Sequence, residues 1–123
     1  MNGKQLLCVD DDPETLGLRK LLLESRGYSV LTATSGEGAL TLLSKSHVDL
    51  VLLDYLMPGM NGGQLAEAVR EQFPSLQLIA VSGVEKLPEG LLRNVYASVA
   101  KGADPEVLLS TIADALVGDR RTR

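Results

Sequence analysis

The stretch Leu50-Val51-Leu52-Leu53-Asp54-Tyr55-Leu56-Met57-Pro58-Gly59-Met60-Asn61-Gly62 decides how this chain is read. An unbroken apolar run ends in a carboxylate. Pro, Gly, Asn and Gly then follow, and they demand a loop. A short apolar run without alternation reads as a strand buried on both faces, as in parallel sheets. Three other runs share this form. Leu6-Leu7-Cys8-Val9 ends in Asp10 and Asp11, Leu78-Ile79-Ala80-Val81 ends in Ser82, and Ser98-Val99-Ala100 ends in Lys101. Strands of a parallel sheet point one way, so their carboxyl ends share the edge where open α/β folds place their sites. Three carboxylates, a hydroxyl and an ammonium are therefore expected in one crevice. Carboxylates packed that closely repel unless a cation sits among them, and a divalent metal is the simplest one.

Strand and helix patterns alternate outward from this stretch. Strands are expected at Gln5 to Val9, Ser29 to Ala33, Asp49 to Leu53, Leu76 to Val81 and Ala97 to Ala100. Helices are expected at Pro13 to Arg26, Ser35 to Ser46 and Gly63 to Phe73, with a last one opening at Pro105. Asp12 caps the first helix, Pro13 suits its opening position, and Gly27 stops it. Leu65, Val69 and Phe73 recur at helical spacing, and Pro74 closes that segment. Asp104 caps the last helix, whose stripe is Leu108, Ile112 and Leu116. The fourth helix has only Pro88 to Tyr96 available, with Gly90 inside it. It is expected to be short or irregular, with Leu87, Leu91, Leu92 and Val95 as its apolar face. Strands and helices in strict alternation argue for a doubly wound α/β sheet with helices on both faces.

The chain has 123 residues, 45% hydrophobic and 23% charged, which suits one globular domain with an adequate core. The expected domain is 1–123, with its core at about 5–117 and residues 118–123 as a basic tail or the start of a linker. The formal charge of -4 argues against direct nucleic-acid binding, which normally shows a basic face. Cys8 is the one cysteine, so neither a disulfide framework nor a zinc site can form within the chain, and a buried, inert thiol is expected. There is no signal-peptide pattern and no span of about 20 apolar residues, so no membrane partner and a cytoplasmic location are expected.

Asp54 at a strand end beside an open loop suits a metal ligand, a base or a nucleophile. Magnesium prefers oxygen ligands and keeps several waters, so two or three carboxylates and a backbone carbonyl suit it. With the metal present, a phosphoryl group can approach Asp54. Lys101 can pair with one phosphoryl oxygen and Ser82 can donate a hydrogen bond to another. That is a set for phosphoryl transfer by positioning and charge neutralisation.

Val9-Asp10-Asp11-Asp12-Pro13, the run from Leu53 through Asn61-Gly62, and the Ser82 and Lys101 positions together resemble the receiver domains of two-component response regulators. The resemblance covers Gln5 to about Val117. It implies a flavodoxin-like, five-stranded sheet of order 2-1-3-4-5. It also implies phosphorelay signalling. Asp54 would accept phosphate from a phosphohistidine on a sensor histidine kinase or histidine phosphotransfer protein. Asp10, Asp11, Asp54 and the Leu56 carbonyl would hold Mg2+. Ser82 and Lys101 would bind the phosphoryl group, and a conformational change would reach a downstream protein target. No turnover of an external substrate is expected. No output domain fits after Val117, so output is expected from a partner or a region outside this chain. Two positions depart from the family: Gly102 follows the lysine where proline is usual, and Ser98 stands where an aromatic is frequent.

Plainer roles compete for some residues. Asp12 reads as a helix cap rather than a ligand, and His47 as a surface residue before the third strand. Gly36-Glu37-Gly38 half-suggests a dinucleotide fingerprint, but Thr41 replaces the third glycine and the segment follows the second strand. The alternative function is a receiver-like interaction module that has lost phosphorylation-dependent switching. A phosphatase with an aspartyl intermediate usually needs a second acid two residues after the nucleophile, where this chain has Leu56.

Overall fold

The computed structural model describes residues 3–83 and 86–117. Along them run β1 (Gln5–Val9), α1 (Pro13–Glu24), β2 (Ser29–Ala33), α2 (Gly36–Lys45), β3 (Leu50–Asp54), α3 (Gly62–Gln72), β4 (Gln77–Ser82), α4 (Glu89–Asn94), β5 (Ala97–Ala100) and α5 (Pro105–Val117). The strands pair in parallel, in the order β2-β1-β3-β4-β5. This is the doubly wound sheet expected from the sequence.

Alternate side chains of a strand point to opposite faces. Leu6, Cys8, Leu50, Leu52, Ile79 and Val81 pack with Leu16 and Leu23 of α1 and with Leu108 and Ile112 of α5. Leu7, Val9, Val51, Leu53, Leu78 and Ala80 pack on the other side with Ala39, Leu43, Leu65, Val69 and Leu91. The central strands are thus covered on both faces, which explains their unbroken apolar runs. Each fully buried leucine contributes about 1.5–3 kcal/mol. Double burial also fixes the register, because a slip by one residue would exchange the two layers.

The same parity orders the strand ends. Asp10, Asp54 and Lys101 continue the series that faces α1 and α5, after Cys8, Leu52 and Val99. Ser82 continues the opposite series, after Leu78 and Ala80.

Several boundaries differ from expectation. β3 and β4 run one residue later, so Asp54 pairs with Val81 and Ser82 with Ala100 inside the ladder. α1 ends at Glu24 because the chain turns early, through Gly27 at φ 95°, and the Tyr28 amide returns to the Leu23 carbonyl. α3 begins at Gly62, where Asn61 and Gln64 form a reciprocal capping box. α4 is confined to six residues, with no side-chain cap at Pro88. The Tyr96 amide donates to the Leu78 carbonyl at 2.7 Å, which draws the chain straight into β5. Only Leu91 of the expected apolar face is buried, while Leu92 is exposed. Arg70 on α3 steadies the far end of α4, donating to the Asn94 carbonyl at 2.7 Å and to Leu76 at 2.9 Å. A cation suits a helix C-terminus.

The basic tail at 118–123 and Val84 lie outside the described residues. Among the described residues, no helix is long and apolar enough to cross a membrane.

Candidate functional site

Asp10 stands just past β1 and is fully buried. Its Oδ1 accepts the Asp12 amide at 3.0 Å. Its Oδ2 is buried and faces two cations, Lys101 Nζ at 3.2 Å and Arg19 at 3.9 Å. Asp11 is exposed beside it. Asp12 is engaged as the cap of α1, accepting the Glu14 amide at 3.1 Å and the Thr15 hydroxyl at 2.8 Å. The Thr15 hydroxyl, then the Glu14 amide, hold the Asp12 carboxyl below its usual range. That is the cap role expected for it.

Asp54 ends β3 and is 3% exposed. Lys101 Nζ donates to its Oδ2 at 3.3 Å, and the Leu56 backbone supplies a further hydrogen bond. Burial pushes the Asp54 carboxyl above its usual range, and the neighbouring Asp10 charge pushes the same way; Lys101 offsets only part of this. Burial alone would lower the Lys101 ammonium, but the Asp10 and Asp54 carboxylates outweigh it and raise it. The cluster on its own is short of positive charge. Asp10, Asp11 and Asp54 each offer a ligand atom, and these atoms lie within 4.8 Å of one another. Three carboxylates in so small a space, an oxygen-only donor set, fit a hard divalent cation.

The loop after Asp54 is shaped by glycines. A Cβ at Gly62 would sit 2.6 Å from both the Asp54 carbonyl oxygen and the Tyr55 Cα. The Gly62 amide closes the loop on the Tyr55 carbonyl at 2.8 Å. Gly59 adopts φ 74°, which disfavours any residue with a Cβ. The Leu56 side chain beside the site is 58% exposed.

Ser82 is 4% exposed at the end of β4, and its carbonyl accepts the Lys101 amide at 3.0 Å. The structure therefore gathers Asp10, Asp11, Asp54, Ser82 and Lys101 at one sheet edge. His47 lies elsewhere, at the N-terminal end of β3, 82% exposed and 2.8 Å from Asp49. Cys8 is buried, and burial pushes its thiol up to about 12, as suits an inert residue.

Arg19 is the site residue that sequence reasoning missed. It lies on α1 between Leu16 and Leu23, the residues that face the core, and its side chain is only 11% exposed. The signal was present: a charged residue interrupts an apolar stripe of helical spacing.

Known proteins resemble this chain in sequence and fold. The family described as the response regulator receiver domain matches residues 6–113. The transcriptional regulatory protein GlrR of Escherichia coli K12 is 38% identical over 114 residues, covering 90% of this chain and 26% of that protein. The sensor histidine kinase GacS of Pseudomonas protegens is 45% identical over 67 residues, covering 54% of this chain and 7% of its own length. The chain thus spans about a quarter of GlrR and a small part of GacS. Among solved structures, a CheY-like receiver domain of Methanospirillum hungatei superposes with a TM-score of 0.89 at 30% identity, covering 98% of both chains. The response regulator TrrA of Thermotoga maritima, crystallised with Mg2+-BeF, gives 0.86 at 28% identity, covering 90% of this chain and 97% of its own. With the order β2-β1-β3-β4-β5, a carboxylate cluster at its carboxyl edge and a family match over most of its length, this chain belongs to the response regulator receiver domains of two-component signalling.

Proposed function

We propose that this receiver accepts a phosphoryl group on Asp54 from a phosphohistidine of a sensor histidine kinase or histidine phosphotransfer protein. The observation that carries this reading is the buried Asp54 carboxylate held 3.3 Å from Lys101 at the edge of the sheet. An Asp54 oxygen attacks phosphorus while the bond from phosphorus to the donor imidazole nitrogen breaks, and the imidazole leaves with the electron pair. Lys101 moves from the carboxylates to a phosphoryl oxygen. The Ser82 hydroxyl donates to another. Asp10, Asp11, Asp54 and the Leu56 carbonyl would hold Mg2+, which supplies positive charge against the carboxylates and the incoming group. The close approach of the Asp10, Asp11 and Asp54 carboxylates supports a cation there.

The new group changes the hydrogen bonding of Ser82 and Lys101, and so of the ends of β4 and β5. We read that change as the signal passed to a downstream protein target. The domain is taken as 1–123, working in the cytoplasm without direct nucleic-acid contact and without turnover of an external substrate. Acetyl phosphate with magnesium should add one hydroxylamine-labile phosphate to the intact protein. The same adduct on Asp54→Asn would sink the assignment.

A further inference from the structure

Arg19 presents a positive charge to the carboxylate cluster from the core-facing side of α1. Two cations face Asp10 Oδ2, and they differ in freedom. Lys101 reaches in from the edge strand with a side chain 35% exposed, so it can swing out when another cation or a phosphoryl group arrives. Arg19 is 11% exposed and packed on the core side of α1, with Leu16 and Leu23 buried before and after it. It is less exposed than Lys101, so moving away from the cluster is harder for it.

Its distance also defines its role. At 3.9 Å the guanidinium is ion-paired with Asp10 but makes no hydrogen bond to it. Asp10 is oriented instead by the Asp12 amide on Oδ1 and by Lys101 on Oδ2. Removing Arg19 therefore removes charge more than orientation. The same guanidinium acts on the Cys8 thiol, the residue two before Asp10 on the same face of the sheet.

We propose that Arg19 is a built-in counter-ion that competes with Mg2+ and sets the affinity of the site for it. The inference rests on the reading that Asp10, Asp11 and Asp54 hold the metal. A charge that leaves less easily stabilises the cluster while the metal is absent and repels a divalent ion that enters. Loss of that charge should tighten metal binding and make the fold depend on metal.

Calorimetric titration of MgCl2 into the whole chain tests this. Arg19→Met and Arg19→Gln should each bind Mg2+ about tenfold more tightly than wild type, equivalent to about 1.4 kcal/mol. Arg19→Lys should bind as wild type does. Melting curves recorded from saturating magnesium downward give a second reading, which also serves if Arg19→Met folds only with metal. Arg19→Met should melt below wild type without metal, and the gap should narrow as magnesium rises. A role in packing alone would leave the gap constant and the affinity unchanged, and that result overturns the proposal. So does tightening in Arg19→Lys equal to that in Arg19→Met. If wild type binds Mg2+ and the neutral variants match it, only the role of Arg19 falls. If no variant and no wild type binds Mg2+, the metal reading falls and this inference with it.

Discussion

The Lys101 ammonium lies 3.3 Å from Asp54 Oδ2, although the two residues are 47 apart in sequence. The sheet makes this meeting. β4 lies between β3 and β5, and the Lys101 amide is fixed on the Ser82 carbonyl at 3.0 Å. From that anchor the side chain crosses β4 and also reaches Asp10 on the far side of β3, at 3.2 Å. One cation thus serves two buried carboxylates.

The crowding of Asp10, Asp11 and Asp54 leads to the first prediction. Magnesium binds the folded cluster and not the unfolded chain, so it should raise the melting temperature. At a hundredfold excess over the dissociation constant the gain is about 2.7 kcal/mol. Asp11→Ala should abolish the rise. A wild-type melting curve that ignores magnesium would count against a metal site.

Gly62→Ala should damage fold and site together. The new Cβ would meet backbone atoms of Asp54 and Tyr55 at 2.6 Å, and neither can rotate away. Overpacking of this kind costs about 1–3 kcal/mol. The strain falls on the residue that carries the carboxylate, so phosphorylation by acetyl phosphate should slow as well. Denaturant midpoints and phosphorylation rates of the variant check both parts. Wild-type behaviour in both would refute the steric account.

The opposite edge of the sheet gives a pH prediction. Burial pushes the Asp49 carboxyl up, but the Gln5 amide and the His47 ring outweigh it and hold it below the usual carboxylate range. A carboxyl depressed in the fold contributes stability above its unfolded pKa, about 3.9, and loses it as pH falls through the folded value. Asp49→Asn should therefore cost about 1 kcal/mol at neutral pH. The gap to wild type should close in acid below the ordinary carboxylate range. Urea midpoints across that range measure it, and a gap independent of pH would contradict the assignment.

The aliphatic Leu56 beside Asp54 bears on the lifetime of the phosphorylated state. It cannot hydrogen-bond and orient a hydrolysing water, and small losses of positioning are costly in rate. By resemblance to receiver domains, Val84, two residues past Ser82, is expected to flank the same water. Slow self-dephosphorylation is predicted. Leu56→Asn combined with Val84→Glu should speed decay of labelled phosphoprotein about tenfold, or roughly 1.4 kcal/mol of barrier. An unchanged rate would show that side chains at these positions matter little.

Much of this was legible in the sequence because double burial writes strands as unbroken apolar runs. The ends of those runs mark Asp10, Asp54, Ser82 and Lys101. Local chemistry located Asp12 as a cap, while Asn61 and Gly62, read as loop, turn out to cap and to open α3. α4 was less legible, because its ends are set by the Arg70 clasp on Asn94 and by the Tyr96 amide joining Leu78, both long-range contacts. Arg19 was missed for the same kind of reason. Its break in the stripe of Leu16 and Leu23 was visible, but its partner Asp10 emerges only from how α1 packs on the sheet.

The central claim is that Asp54 is the acceptor, and mapping the modified residue tests it most directly. The protein should be phosphorylated by a phosphohistidine donor and reduced with borohydride, which converts an aspartyl phosphate to homoserine. Peptide sequencing by mass spectrometry then reads the position. Homoserine at position 54 alone is the predicted result. Homoserine at position 10 or 11, or a phosphate that survives on Ser82, would contradict the account.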